Sequence, residues 1–345
     1  MTTPPAADLG VAARSLVATG KGLLAADEST PTIEKRFQAA GIPCHEESRR
    51  AYREMLFTTA GLGEAISGVI LYDETIRQRM VRGVSTPEWL KALGIIPGIK
   101  VDRGTVDLPR SVGEKYTEGL DGLRARLKEY SGLGARFTKW RCVFPIGKET
   151  PTPLCLETNA TGLALFAALS QEANMVPIVE PEVLMDGDHS LARCEAVTMS
   201  VLHEVFAALA RHHVNLEGML LKTGMVTPGA KSAEAADLKD VASATVRCLR
   251  RSVPAAVPGV VFLSGGQGDI EATERLNAIC RSGATPWKMS FSFGRALQNE
   301  ALRTWQGSPA NLSAAQSALQ HRARCNSAAV QGRYLESLDR KADAA

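Results

Sequence analysis

Short apolar runs alternate with longer amphipathic stretches along this chain. Eight such runs recur: "GLLAAD" ending at Asp27, "GVILYDE" around Tyr72, "GIIPGIKVD" near Lys100, "ARFTKWRCVF" carrying Lys139 and Arg141, "MVPIVEPE" ending at Glu180, "LEGMLLK" ending at Lys222, "GVVFLSGG" ending at Ser264 and "WKMSFSFG" ending at Ser292. The intervals between these marker residues are 45, 28, 39, 41, 42, 42 and 28 residues. Hairpins need far fewer, whereas a strand with its crossover helix needs about 30 or more. The intervening stretches carry a helical period. Val197, Val201, Val205, Ala208 and Leu209 share one face, as do Leu238, Val241, Thr245 and Leu249, with Ser232 expected as the N-cap of the latter helix. Asp269 and Glu271 would cap and charge the start of a helix through Leu276 and Ile279.

Eight strands alternating with helices imply a parallel sheet. Closed on itself, that sheet is a (β/α)8 TIM barrel, expected as a single α/β domain over residues 11–334 with flexible ends at 1–10 and 335–345. An open, doubly wound sheet is the alternative, but no G-x-G-x-x-G follows the first run.

In a barrel, the C-terminal ends of the strands share one face, where catalytic groups gather. Asp27, Lys100, Lys139, Arg141, Glu180, Lys222, Ser264 and Ser292 would then converge on one cleft. A lysine at the end of a buried strand is costly unless it is paired or used. In a semi-apolar site, beside a second cation such as Lys139, the Lys222 amine would lose basicity and attack a ketone to form a Schiff base. The bland reading is a snorkelling or ion-paired lysine. Glu180 and Glu182 share a face if their strand continues, although Pro181 is expected to end it. A carboxylate there would shuttle protons; alternatively it pairs with Lys139 or Arg141. Asp27, in "ADEST", reads either as a third carboxylate of the cleft or as a cap for the helix that follows. Lys139 and Arg141 stand two apart on a strand, and an inward orientation is favoured because the outer face packs on helices.

After the last two runs, "LSGGQGD" and "SFSFGRAL" bring small residues and a helix start together, so that Ser264, Gly265, Ser292, Gly294 and Arg295 would hold a phosphate; the alternative is an ordinary turn. Ser29, Thr32, Lys35 and Arg36 open the first helix after the first run; they would hold a second phosphate, with Lys100 across the cleft, or else form a solvated, capped helix start.

Composition narrows the class without choosing the chemistry. The 345 residues are 45% hydrophobic and 22% charged, with a formal net charge of +3 from 40 basic and 37 acidic residues. That balance argues against nucleic acid or a membrane surface as partner. No basic-then-apolar leader opens the chain, and no apolar run approaches the roughly 18–20 residues of a membrane span. Seven scattered cysteines without C-x-x-C imply a reducing, cytoplasmic compartment rather than a disulfide framework. The six histidines show no H-x-H, H-x-x-H or H-E-x-x-H spacing, which argues against a zinc or iron site, and no cofactor is expected.

The motifs "LAADEST", "GIKVDRG", "KWRCVFPI", "PIVEPEVLMDGDH", "LLKTGMVTPG", "FLSGGQ" and "FSFGRALQ", in this order from about Ser15 to Tyr334, resemble class I fructose-1,6-bisphosphate aldolase. The resemblance implies a metal-free (β/α)8 barrel, usually a homotetramer, cleaving a phosphorylated sugar in glycolysis and gluconeogenesis. It implies Lys222 as the Schiff-base lysine, Glu180 as acid/base, Asp27 assisting and Lys139 as the neighbouring cation. Glu182 and Arg141 would complete the charge network. Ser264, Gly265, Gly294 and Arg295 correspond to the 1-phosphate site, and Ser29, Thr32 and Lys100 to the 6-phosphate side, with Arg36 nearby. Three features depart from the family pattern: Thr223–Gly224 after the lysine, Phe293 where a tyrosine is common, and an ending "LDRKADAA" where well-known animal members end in tyrosine. The alternatives are a Schiff-base aldolase for another phosphorylated ketose and a non-catalytic scaffolding homologue.

Overall fold

The structure, a computed structural model, describes residues 6–80 and 83–340. Its centre is a closed barrel of eight parallel strands, all from the eight apolar runs: β1 Gly22–Ala26, β2 Ile66–Leu71, β3 Ile96–Lys100, β4 Phe137–Phe144, β5 Val176–Val183, β6 Leu220–Thr223, β7 Gly259–Phe262 and β8 Lys288–Phe293. Neighbours in sequence are neighbours in the barrel, and β8 pairs with β1 to close it. Helices cover the outside, so the strands are buried on both faces and read as continuous apolar runs rather than as alternating ones. All of β1, β2, β6 and β7 is buried, charged positions included.

The apolar side chains form two layers. Leu23, Ile70, Phe137, Val176, Ile178, Leu220 and Val261 fill the barrel interior. The larger layer lies between strands and helices. Phe137 is accommodated because β3 carries Gly98 beside it: a Cβ there would lie 2.3 Å from the Phe137 ring.

The first helix, Ala6–Leu16, closes the barrel floor. Leu9, Ala13 and Leu16, together with Val17 just beyond its end, belong to the same cluster as the barrel interior. Part of the end expected to fray at 1–10 is therefore helical, because its apolar residues recur at helical spacing. Residues 1–5 and 341–345 of the two expected flexible ends lie outside the described residues. Within 335–340, a helical turn at Ser337–Arg340 is docked through Asp339 onto Arg322 of the long helix Leu312–Val330.

Three local expectations are corrected. β5 runs through Pro181 to Val183. Pairing of β5 with β6 stops at Val179, so that edge of β5 has no ladder for a missing N–H to break. β6 starts at Leu220, because Leu216–Gly218 form a 3-10 turn in which the Asn215 side chain accepts from the Glu217 N–H. The helix Leu238–Ser252 is capped by Asp237, whose carboxylate accepts from the Asp240 N–H, and not by Ser232. Among the described residues no helix is long and apolar enough to cross a membrane.

Candidate active site

Four charged side chains meet at the C-terminal mouth of the barrel, each from a different strand or strand end. Asp27 follows β1, Lys139 sits on β4, Glu180 on β5 and Lys222 on β6. They form a chain: Asp27 Oδ2 lies 2.6 Å from Lys139 Nζ, Lys139 Nζ lies 3.3 Å from Glu180 Oε2, and Glu180 Oε1 lies 3.0 Å from Lys222 Nζ. Strands β4, β5 and β6 are sheet neighbours, but β1 is not next to β4. The Asp27–Lys139 contact thus spans the mouth. All four residues are between 3% and 9% exposed. Two carboxylates and two amines balance in charge, which is what allows them to sit in so dry a layer.

Their electrostatics separate the two lysines. Burial works against the Lys139 charge, but Asp27, Glu180 and Asp102 outweigh it and hold its pKa well above the usual lysine range. Lys139 is therefore a fixed cation and a poor nucleophile. Burial would also raise the Asp27 carboxyl, yet Lys139 and Lys222 overcome it and hold the pKa at about 2. Lys222 has one ion-pair partner among the described residues, Glu180, and that partner is a carboxylate able to exchange a proton with it.

A second layer lies towards solvent. Arg141 pairs with Glu182, so both carboxylates of the "EPE" stretch face inward and are used. Lys100 is bound to Asp102, whose other oxygen accepts from the Arg141 N–H at 3.3 Å. The mouth opens into a cavity of about 960 Å³, lined by every residue singled out from the sequence: Asp27, Ser29, Thr32, Lys35, Arg36, Lys100, Lys139, Arg141, Glu180, Glu182, Lys222, Ser264, Gly265, Ser292, Gly294 and Arg295.

The two ends of this cavity differ. At one end, the turn after β7 places Gly265 at φ +58° and Gly266 at φ +101°, conformations that favour glycine. The exposed Arg295 opens the helix Arg295–Trp305 directly after β8, with its guanidinium 3.8 Å from the Cβ position of Gly266. The buried Ser292 hydroxyl has no protein partner among the described residues. At the other end, Ser29 stands at the N-cap position of the helix Thr30–Ala39 without a side-chain capping bond, and its hydroxyl lies 3.1 Å from that of Thr32. Arg36 is largely committed elsewhere: one nitrogen binds Glu28 and reaches Gln298 at 3.1 Å, while its second terminal nitrogen is buried without a hydrogen-bond partner.

A family model described as class-I fructose-bisphosphate aldolase, of the glycolytic type, matches residues 8–345. The chain belongs to the class-I fructose-bisphosphate aldolase family. It is 51% identical over 327 residues to the probable fructose-bisphosphate aldolase class 1 of Xanthomonas axonopodis, covering 94% of this chain and 98% of that one. To the cytosolic fructose-bisphosphate aldolase 6 of Arabidopsis thaliana it is 52% identical over 316 residues, covering 91% and 88%. A solved structure of fructose-bisphosphate aldolase from Plasmodium falciparum, in complex with TRAP and a small-molecule inhibitor, superposes with a TM-score of 0.95 at 49% identity, over 97% of this chain and 98% of that one.

Against this aldolase frame, sequence reasoning missed several supporting residues. Asp102, in "GIKVDRG", joins Lys100 to the β4 backbone, a role the strand-end pattern does not assign. Its signal was an acidic residue two beyond a strand-end lysine. Glu28 was missed as the carboxylate shared by Arg36 and Arg53, the latter at 2.8 Å. Tyr52 and Gln298 tie the same cluster to the helix after β8, the tyrosine hydroxyl donating to Gln298 Oε1 at 2.9 Å. Both come from distant segments, and no local spacing marked them.

Proposed function

We propose that Lys222 carries the Schiff base by which this aldolase reversibly cleaves fructose 1,6-bisphosphate to dihydroxyacetone phosphate and glyceraldehyde 3-phosphate. The observation that carries the assignment is the asymmetry of the buried quartet: Lys139 is clamped by two carboxylates and kept charged, whereas Lys222 is ion-paired to Glu180 alone among the described residues.

In the cleavage direction, Lys222 Nζ adds to the C2 ketone, and Glu180 passes the protons that expel the carbonyl oxygen as water. The protonated imine draws the electron pair of the C3–C4 bond as that bond breaks. Glu180 takes the C4 hydroxyl proton, and glyceraldehyde 3-phosphate leaves. The enamine left behind is protonated at C3 and hydrolysed, which returns the Lys222 amine and releases dihydroxyacetone phosphate. Lys139 and Asp27 keep Glu180 in place and hold a constant charge beside the forming iminium. Ser264, Gly265, Ser292, Gly294 and Arg295 bind the 1-phosphate, and Ser29, Thr32 and Lys100 the 6-phosphate, with Arg36 anchored close by. The imine supplies the electron sink that a metal ion would provide in another mechanism.

The same reading makes the enzyme a cytoplasmic homotetramer. Two Arabidopsis relatives named as cytosolic support the compartment, and the usual quaternary state of the family supports the tetramer; light scattering on the purified chain measures it.

The test of the lysine is borohydride reduction in the presence of dihydroxyacetone phosphate. One stable adduct on the peptide containing Lys222 is expected. An adduct on Lys139 or Lys100 would refute the assignment.

A further inference from the structure

His321, Cys325 and Asp339 converge on the outside of the barrel. His321 and Cys325 stand one turn apart on the helix Leu312–Val330, and Asp339 comes from the turn Ser337–Arg340. His321 Nε2 lies 3.0 Å from Asp339 Oδ1, Cys325 Sγ lies 3.6 Å from the same nitrogen, and Sγ lies 3.7 Å from the same oxygen. Zinc(II) takes thiolate at about 2.3 Å and imidazole or carboxylate at about 2.0–2.2 Å, so one face of its tetrahedron has edges of roughly 3.3 Å for N···O and roughly 3.6 Å for S···N and S···O. The three observed separations match that face to within about 0.3 Å. Among the described residues this is the one group of three or more such donors close enough to share an ion. None of the three lines the mouth cavity.

We propose that these residues bind a thiophilic divalent cation, zinc(II), which clamps the C-terminal turn to the last long helix. The cation completes its tetrahedron with a water molecule on the His321 side, where the imidazole is 30% exposed and gives an entry path. Binding forms bonds to Sγ, Nε2 and Oδ1, and the thiol proton of Cys325 passes to solvent; nothing is oxidised or reduced. Two other groups use the Asp339 carboxylate. Tyr334 donates its hydroxyl to Oδ2, and Arg322 binds Oδ1 while also reaching Oδ2 at 3.4 Å. The second reach leaves Arg322 a place on Oδ2 when the metal takes Oδ1. The histidine-pair spacings expected of metal sites do not include this arrangement, because only one histidine takes part and the third donor is 14 residues beyond Cys325.

The experiment is a cobalt(II) titration of the full-length, metal-stripped and reduced chain. The expected result is a thiolate-to-cobalt charge-transfer band that saturates and is bleached by zinc(II). Cys325→Ser should abolish the band. His321→Ala and Asp339→Asn, at partly exposed positions, should each weaken cobalt binding on the order of tenfold or more, at least what the loss of an outer-shell partner costs. No band in the parent chain overturns the proposal. So does a band that persists in Cys325→Ser, which would place the metal on a thiol such as Cys44 or Cys280, the two that are only partly buried. Unchanged affinity in both His321→Ala and Asp339→Asn overturns it as well.

Discussion

Replacing Lys139 by methionine keeps most of the side-chain volume and removes the cation between two buried carboxylates. The Asp27 carboxyl stands at about 2 against an ordinary value of 3.8. Burial alone would have raised it, so the depression comes from the lysines. At about 1.36 kcal/mol per pKa unit, the difference is on the order of 2 kcal/mol of folding stability at pH 7 from this one group. Because the folded pKa is depressed, that contribution is present above about pH 3.8 and is lost as the pH falls through about 2. In the variant, burial, the largest influence on Asp27, is no longer offset by Lys139, so the folded Asp27 pKa rises and its ionised form becomes a cost at neutral pH. Removing one partner of a buried ion pair typically destabilises by about 3–5 kcal/mol; the Asp27 contribution alone lies somewhat below that range. Urea unfolding of parent and variant at pH 7 and pH 5 measures it. The deficit should be a few kcal/mol at pH 7 and smaller at pH 5, where the stranded Asp27 carboxyl takes up a proton. Equal stability at pH 7, or a deficit that widens on acidification, would show that Lys139 is not what holds Asp27 ionised.

Glu180→Gln keeps the shape of the acid/base and removes its proton; turnover of fructose 1,6-bisphosphate should fall on the order of 10²–10⁴, and near-parental turnover in a coupled assay would move the role to Asp27 or Glu182. Arg295→Ala removes an exposed side chain, so the melting temperature should hardly change. Loss of a charge-assisted contact worth about 1.5–3 kcal/mol should raise KM for the bisphosphate roughly 10–100-fold, and an unchanged KM would place the 1-phosphate elsewhere. Gly98→Ala drives a methyl to 2.3 Å from the Phe137 ring; overpacking of this kind costs about 1–3 kcal/mol, and a denaturation midpoint equal to the parent's would mean that the ring moves aside freely.

Much of the architecture was legible from local pattern. Strands covered on both faces must be apolar throughout, and their helices must repeat every 3.6 residues, so eight runs at crossover spacing already implied a parallel sheet, with a closed barrel favoured over an open one. That fold has only one rim for strand-end side chains, and this is why Lys222, Glu180, Lys139 and the glycine-rich turns after β7 and β8 could be assigned to one cleft before any distance was known. Local pattern failed where the deciding contact joins segments that are not neighbours in the sheet. Asp27 reaches Lys139 across the mouth; Glu28 holds arginines from two helices; Asp339 returns to Arg322 and His321 from beyond the last long helix. Pro181 looked like a strand end because its sequence context does not reveal that β6 has already stopped pairing beside it. That two carboxylates clamp Lys139 was likewise not readable from local pattern. An amine's ionisation depends on how many carboxylates lie within a few ångströms in a dry layer, and that count is a property of barrel closure, not of sequence neighbours.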